Sequence, residues 1–271
     1  MRGVVAVLVC AAALLAGVPP AGARDAQRAP AGFVALDAVA PGVLTDLRYH
    51  GSHNFLGEPV VGYREPVCLL TREAAEAVAR VQRAALRRGY SLQVYDCYRP
   101  RRAVERFVAW AGDARDTRTK AEFYPRVPKE RLLAEGYIAE RSAHSRGSTV
   151  DVTLVRLPVR PTRAYVPGEP PVPCYAPRAA RYPDASVDMG TGYDCFDRLA
   201  HTLSPHVTPA QRAHRLLLRR LMVRAGFADL PQEWWHFTYR AEPYPDRSFD
   251  FPVARGSLPA SGPSRPPSRA A

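Results

Sequence analysis

Residues 232–239 read QEWWHFTY. Whether they form a strand or a helix decides the fold, and it decides where Glu233 and His236 point. On a helix, side chains three apart share a face; on a regular strand, with a period of two, they point to opposite faces. Pro231 and the aromatics Trp234, Trp235, Phe237 and Tyr239 favour a loop entering a strand. A loop or bulge at Glu233 would then bring the acid round to the side of His236. Such aromatics can fill a core or wall a dry site; with the metal pattern below, Trp234, Trp235 and Phe237 are expected to wall a dry site while also packing the strand.

Working outward, Thr208-Pro209-Ala210-Gln211 is a capping box with proline at the first helical position, and the helix it opens runs to Arg224 and stops at Gly226. Residues 148–155, STVDVTLV, are β-rich and alternate. Residues 71–88 place Ala74, Ala77, Val78, Val81 and Ala85 at helical spacing, with Thr71 to cap the start and Gly89 to end it. Residues 91–95 read as a strand running into Asp96-Cys97-Tyr98-Arg99-Pro100. Pro100 pushes Arg99 out of helical geometry and fits the first turn of a helix reaching about Trp110. Arg99 thus lies at a strand-to-helix junction, where side chains often line sites. Residues 159–183 are Pro-rich and irregular, a long surface loop. Helices and strands are interspersed without a βαβ rhythm or a glycine-rich phosphate loop. The expected class is α+β, a small and mostly antiparallel sheet flanked by helices.

The ends differ from the body. After Met1-Arg2, residues 4–18 are apolar, and Ala21-Gly22-Ala23 offers small residues at signal-peptidase spacing. Residues 1–23 therefore read as a cleaved signal peptide and the protein as exported, periplasmic or extracellular. The competing membrane anchor needs about 20 apolar residues, so no stable span is expected after cleavage. Residues 255–271 are Pro, Ser, Arg, Gly and Ala with Leu258, and read as a disordered tail. Residues 24–254 suit one domain.

The formal charge is +12, of which +8 falls on residues 24–254. Arg80, Arg83, Arg87 and Arg88, and Arg212, Arg215, Arg219 and Arg220, read as solvated helix faces. The sharper alternative is attraction to an anionic envelope or nucleic acid. No nucleic-acid motif is recognisable, so no such partner is expected. Removal of Cys10 with the signal leaves Cys68, Cys97, Cys174 and Cys195, two disulfides in an exported protein. Of the three pairings, Cys68–Cys97 and Cys174–Cys195 each close a modest loop. A four-cysteine zinc cluster would want closer pairs.

Two dense patterns carry chemistry. In Ser142-Ala143-His144-Ser145-Arg146-Gly147-Ser148-Thr149-Val150-Asp151, His144 lies on a loop and Asp151 inside the following strand. A carboxylate among Val150, Val152 and Leu154 needs a partner, and a metal is a good one. The bland reading is a Ser/Gly turn with a solvent-facing Asp. In 232–239, His236 can ligate while Glu233 works on a bound water. Together the patterns supply one Asp and two His as ligands plus a separate acid, the set a catalytic zinc needs. His50-Gly51-Ser52-His53 also has metal-like spacing, but its turn residues argue against a ligand pair.

SAHSRGSTVDVTL, EWWHF and YDCYRP together resemble the D-alanyl-D-alanine dipeptidases, zinc enzymes related to D,D-carboxypeptidases. The similarity runs from about Leu44, through Asn54-Phe55-Leu56-Gly57 and Asp188-Met189-Gly190-Thr191, to Phe249-Asp250-Phe251-Pro252. It implies one Zn2+ ion held by His144, Asp151 and His236, with Glu233 as general base and Arg99 stabilising charge on the scissile carbonyl oxygen. It implies that Ser142, Tyr49 and Asp194 line the pocket for the dipeptide D-Ala-D-Ala, Asp194 facing its ammonium group. The matched catalytic positions show no departure; the departures are the signal, the Pro-rich stretch before Asp188 and the tail. Two alternatives stay open: a D,D- or L,D-carboxypeptidase acting on wall peptides, and a zinc-stabilised wall-binding module without turnover.

Overall fold

The computed structural model describes residues 28–259. The signal-peptide reading of residues 1–23 lies outside them, as does the tail from residue 260. Among the described residues no helix is long and apolar enough to cross a membrane.

In chain order the elements are β1 (Phe33–Ala35), α1 (Leu36–Val39), β2 (Leu44–Thr45), β3 (Leu69–Thr71), α2 (Arg72–Leu86) and β4 (Tyr90–Asp96). Then follow α3 (Arg101–Gly112), α4 (Lys120–Phe123), β5 (Thr149–Arg156), α5 (Pro209–Arg224), β6 (Phe227–Leu230) and β7 (Glu233–Tyr239). Five strands form one sheet in the order β2-β4-β5-β7-β6. Only the β2–β4 pair is parallel. β1 and β3 pair separately. The class is α+β, as the pattern predicts.

Alternation along β5 divides the sheet's two faces. Val150, Val152 and Leu154 join the core that α2 supplies through Ala74, Ala77, Val78 and Val81 and α5 through Leu218, Leu221 and Met222. Thr149, Asp151 and Thr153 point the other way. They are nevertheless buried, so that face is covered too. A second core, with α3 at its centre through Phe107 and Trp110, gathers Phe33, Tyr49, Phe55, Tyr98, Phe196 and Phe251. Asp151 thus sits between two cores, on the polar face of a sheet shut off from water.

Several local signals do what their chemistry suggests. Thr208 and Gln211 form the reciprocal capping box. Gly226, at φ 101, ends α5 and turns the chain into β6. The cysteines pair as Cys68–Cys97 and Cys174–Cys195. Residues 157–183 hold no helix or strand and form an irregular strap.

Three readings need correction. Arg215 is not on a solvated helix face: it is fully buried, its Nε donating to the Met189 carbonyl and its Nη1 to the His201 carbonyl, each at 2.6 Å. Thr71 precedes α2 but makes no side-chain cap; its hydroxyl pairs with that of Ser148 at 2.7 Å, tying the helix start to the head of β5. The disordered tail does not begin at 255. Arg255–Ser257 forms a 3-10 turn, the Ala29 amide donates to the Ser257 carbonyl at 2.7 Å, and Leu258 packs on the aromatic core. These contacts, with Arg255 bonded to Glu65 and paired with Asp37, hold the segment.

Candidate active site

Antiparallel pairing of β5 with β7 sets Asp151 directly opposite His236. The turn before β5 supplies His144. This turn is a 3-10 helix, Ala143–Arg146, whose start is capped by the Ser142 hydroxyl accepting from the His144 amide at 3.3 Å. It ends at Gly147, at φ 84, where a Cβ would overlap the Phe33 ring, so only glycine fits. His144 Nδ1 donates to the Cys97 carbonyl at 2.6 Å, which leaves Nε2 facing inward.

The three inward atoms form a near-equilateral triangle. His144 Nε2 and His236 Nδ1 each lie 3.2 Å from Asp151 Oδ1 and 3.3 Å from each other. Ligands about 2.0–2.1 Å from a tetrahedral zinc stand about 3.3 Å apart. The triangle is therefore the right size for one face of such a site. Asp151 Oδ1 is fully buried without a hydrogen-bond donor, while Oδ2 accepts from Tyr193 at 2.9 Å. An orphaned carboxylate oxygen flanked by two imidazole nitrogens is costly unless a cation completes it. Burial works against the Asp151 carboxylate, yet His144 and His236 hold it well below its ordinary range. Among the described residues this is the one group of His, Cys, Asp and Glu that could hold a metal ion.

Glu233 reaches this site through a bulge. Between the pairs Asp229↔Phe237 and Leu230↔Glu233, β6 advances one residue and β7 four. The excess residues of β7 bring Glu233 Oε2 to 3.5 Å from His236 Nδ1. Burial, reinforced by the Asp151 charge, pushes the Glu233 carboxyl up to about 8. A cation at the triad acts in the opposite sense. The same bulge lets the adjacent Trp234 and Trp235 enter the helix-side core together, their rings edge-on at 5.2 Å. Neither lines the pocket. The aromatics of β7 are thus core, and the expectation that Trp234, Trp235 and Phe237 wall the site is corrected. Its aromatic walls are Tyr49, Phe55, Phe107, Tyr137 and Phe196.

Arg99 stands where β4 gives way to α3. Its Nε donates to Asp96 at 2.9 Å, its Nη2 lies 3.6 Å from Asp151 Oδ2, and its guanidinium carbon sits 5.1 Å from the ring centres of Tyr49 and Phe107. Tyr49 donates to Asp194 at 2.8 Å, and both are buried. Burial, with Asp151 adding to it, pushes the Asp194 carboxyl well above the usual range. Asp194 holds φ 54, a left-handed conformation that among the described residues is otherwise confined to glycine. Ser142, Tyr49, Asp194, Arg99, Glu233, Asp151 and His236 all line one pocket of about 270 Å³. Drug-sized ligands occupy roughly 300–1,000 Å³, so this one suits something smaller. A larger hollow of about 580 Å³, bordered by Arg126, Asp197 and His206, contains none of these residues.

Every site residue expected from the sequence therefore converges here, and the His50/His53 pair does not. His53 lies between Glu122 at 2.7 Å and Arg48 at 3.0 Å and stacks on Tyr165. Sequence reasoning missed Asp96, which fixes Arg99 and accepts from Tyr63, and Tyr193, which holds Asp151. Asp96 stood in a quoted motif three residues before Arg99, a spacing that could have exposed it.

A cation-sized triangle of donors, flanked by a raised carboxyl and an arginine in a small pocket, is what a hydrolytic metal enzyme needs. Comparison with known proteins agrees. The family model described as D-ala-D-ala dipeptidase, Peptidase_M15, matches residues 29–159 and 183–254, omitting most of the strap. The D-alanyl-D-alanine dipeptidases of Enterococcus faecium and Streptomyces coelicolor are each 36% identical over 222 residues, covering 82% of this chain and 98% of theirs. That of Escherichia coli is 28% identical over 214 residues, covering 79% and 88%. The chain belongs to the D-Ala-D-Ala dipeptidase family of M15 metallopeptidases.

Proposed function

We propose that this protein is an exported zinc dipeptidase that hydrolyses D-alanyl-D-alanine to two D-alanines. The observation that carries the reading is the donor triangle opening into a 270 Å³ pocket with Glu233 on one side and Asp194 buried within it.

His144 Nε2, Asp151 Oδ1 and His236 Nδ1 would hold the ion. Bound zinc supplies a Lewis acid that lowers the pKa of water and polarises a carbonyl. Glu233 takes a proton from the attacking water and returns it to the leaving amine. Arg99, its Nε fixed by Asp96, offers its remaining N–H groups to the carbonyl oxygen as negative charge develops there. Asp194, braced by Tyr49, meets the substrate's ammonium group, which supplies the counter-charge this buried carboxyl lacks. Ser142 borders the same pocket. Tyr137 and Phe196, their rings 5.6 Å apart, also line the pocket, whose volume of about 270 Å³ favours a dipeptide.

Export is supported by the apolar run at residues 4–18 and by two disulfides, which persist in oxidising compartments. An exported enzyme does not readily reach a cytoplasmic D-Ala-D-Ala pool, so the role is wall-peptide turnover or D-alanine recovery. Loss of glycopeptide resistance in a strain lacking the protein would contradict this placement.

The deciding experiment is amino-acid release from D-Ala-D-Ala, L-Ala-L-Ala and a wall pentapeptide, by zinc-loaded and chelated protein. Zinc-dependent release from D-Ala-D-Ala alone is expected. Release from the pentapeptide would make it a carboxypeptidase, and zinc binding without release a wall-binding module.

A further inference from the structure

Residues 192–196 concentrate site functions. Tyr193 holds the ligand Asp151, Asp194 sits in the pocket and Phe196 walls it. The left-handed Asp194 needs its surroundings to keep it in place. On one side the Phe196 amide donates to the Phe123 carbonyl at 2.8 Å. On the other stands Cys174. It is bonded to Cys195, the residue after Asp194, and its carbonyl accepts from the Gly192 amide at 2.8 Å. Cys174 is itself anchored, its amide donating to the Glu122 carbonyl at 2.9 Å. Cys174 belongs to the part of the strap that the family model does not match.

We propose that the Cys174–Cys195 disulfide is a positioning device: it lets the strap set the Asp194 carboxylate, and with it the demand for a free ammonium group on the substrate. The inference rests on the role given to Asp194 above. The donor triangle does not depend on this bond. His144, Asp151 and His236 stand on the 143–147 turn, β5 and β7. Tyr193 is wedged independently between Tyr95, stacked at 4.4 Å, and Trp235 at 5.5 Å. Breaking the bond should therefore weaken recognition and spare the chemical step.

The test is steady-state kinetics of wild type and C174S/C195S on D-Ala-D-Ala and on its N-acetylated form. For the variant we expect KM for D-Ala-D-Ala to rise about tenfold, kcat to stay within about threefold, and the kcat/KM preference for the free amine to fall about tenfold. Unchanged KM and preference, whatever the melting temperature does, overturn the proposal and leave the bond a staple. Loss of bound zinc together with kcat also overturns it. If the variant does not fold, the same constants are read on C174A/C195A, which leaves Cys68–Cys97 intact, under the same criteria. If wild type ignores D-Ala-D-Ala, the substrate assignment has failed separately. The preference is then read as calorimetric affinity for the free and acetylated dipeptides.

Discussion

Glu233 and Asp96 show how two acids close to one triad take different work. Glu233 lies at the pocket wall, 13% exposed, with no arginine bonded to it. Asp96 is 2% exposed and bonded to both Arg99 and Tyr63. One is free to move a proton; the other is committed to holding a cation still. Glu233→Gln should retain one bound zinc by metal analysis while kcat falls about 10²–10⁴-fold. Wild-type turnover in that variant would remove Glu233 from the mechanism. Asp96→Asn keeps the shape but strips the charge that fixes Arg99. Its kcat should fall roughly 10²-fold with zinc content unchanged. An unaffected kcat would reduce Asp96 to packing.

At the scale of elements, the site depends on two departures from regularity, the bulge in β7 and the turn at Gly147. Gly147→Ala must accommodate a left-handed backbone and displace Phe33. Destabilisation of roughly 2–4 kcal/mol is expected by urea unfolding, together with weaker zinc binding because His144 shares the turn. A variant as stable as wild type would show that the 143–147 turn can relax around a side chain.

The same scale shows what was legible beforehand. α2 and β5 announced themselves by period, α5 by the capping pattern of Thr208 and Gln211, and β7 by Pro231 and its aromatics. β2, two residues long, and the β1–β3 pair are too short to carry a period. Thr71 reads as a cap from its neighbours alone; its real partner, Ser148, lies 77 residues on. Tyr193 escaped notice for the same reason, because its bond to Asp151 crosses between elements. The triad was legible because each motif is dense within a few residues. Its aromatic walls were not, because they come from the second core rather than from β7.

For the whole molecule, two cores meet across a sheet whose polar face carries a buried, incompletely partnered carboxylate. Such a fold should lean on its ion. At a zinc excess of about 1,000 times Kd, binding adds about 4 kcal/mol, so chelation should lower Tm by roughly 10 °C. Returning zinc should restore both Tm and activity in calorimetry and peptide-release assays. A Tm indifferent to chelation would mean that Asp151 is satisfied by its two imidazoles alone.

The register that faces Asp151 with His236 also fixes an order of events during synthesis. His144 and His236 are 92 residues apart, and His236 belongs to the last strand of the sheet to leave the ribosome. A nascent chain short of that strand offers only two of the three donors, too few for a firm hold on zinc. On the proposed site, metal capture would wait until nearly all of the sheet's sequence has been made and β5 has paired with β7. A truncated or half-assembled chain would then stay empty, and retention of the proposed ion would certify that the sheet is complete.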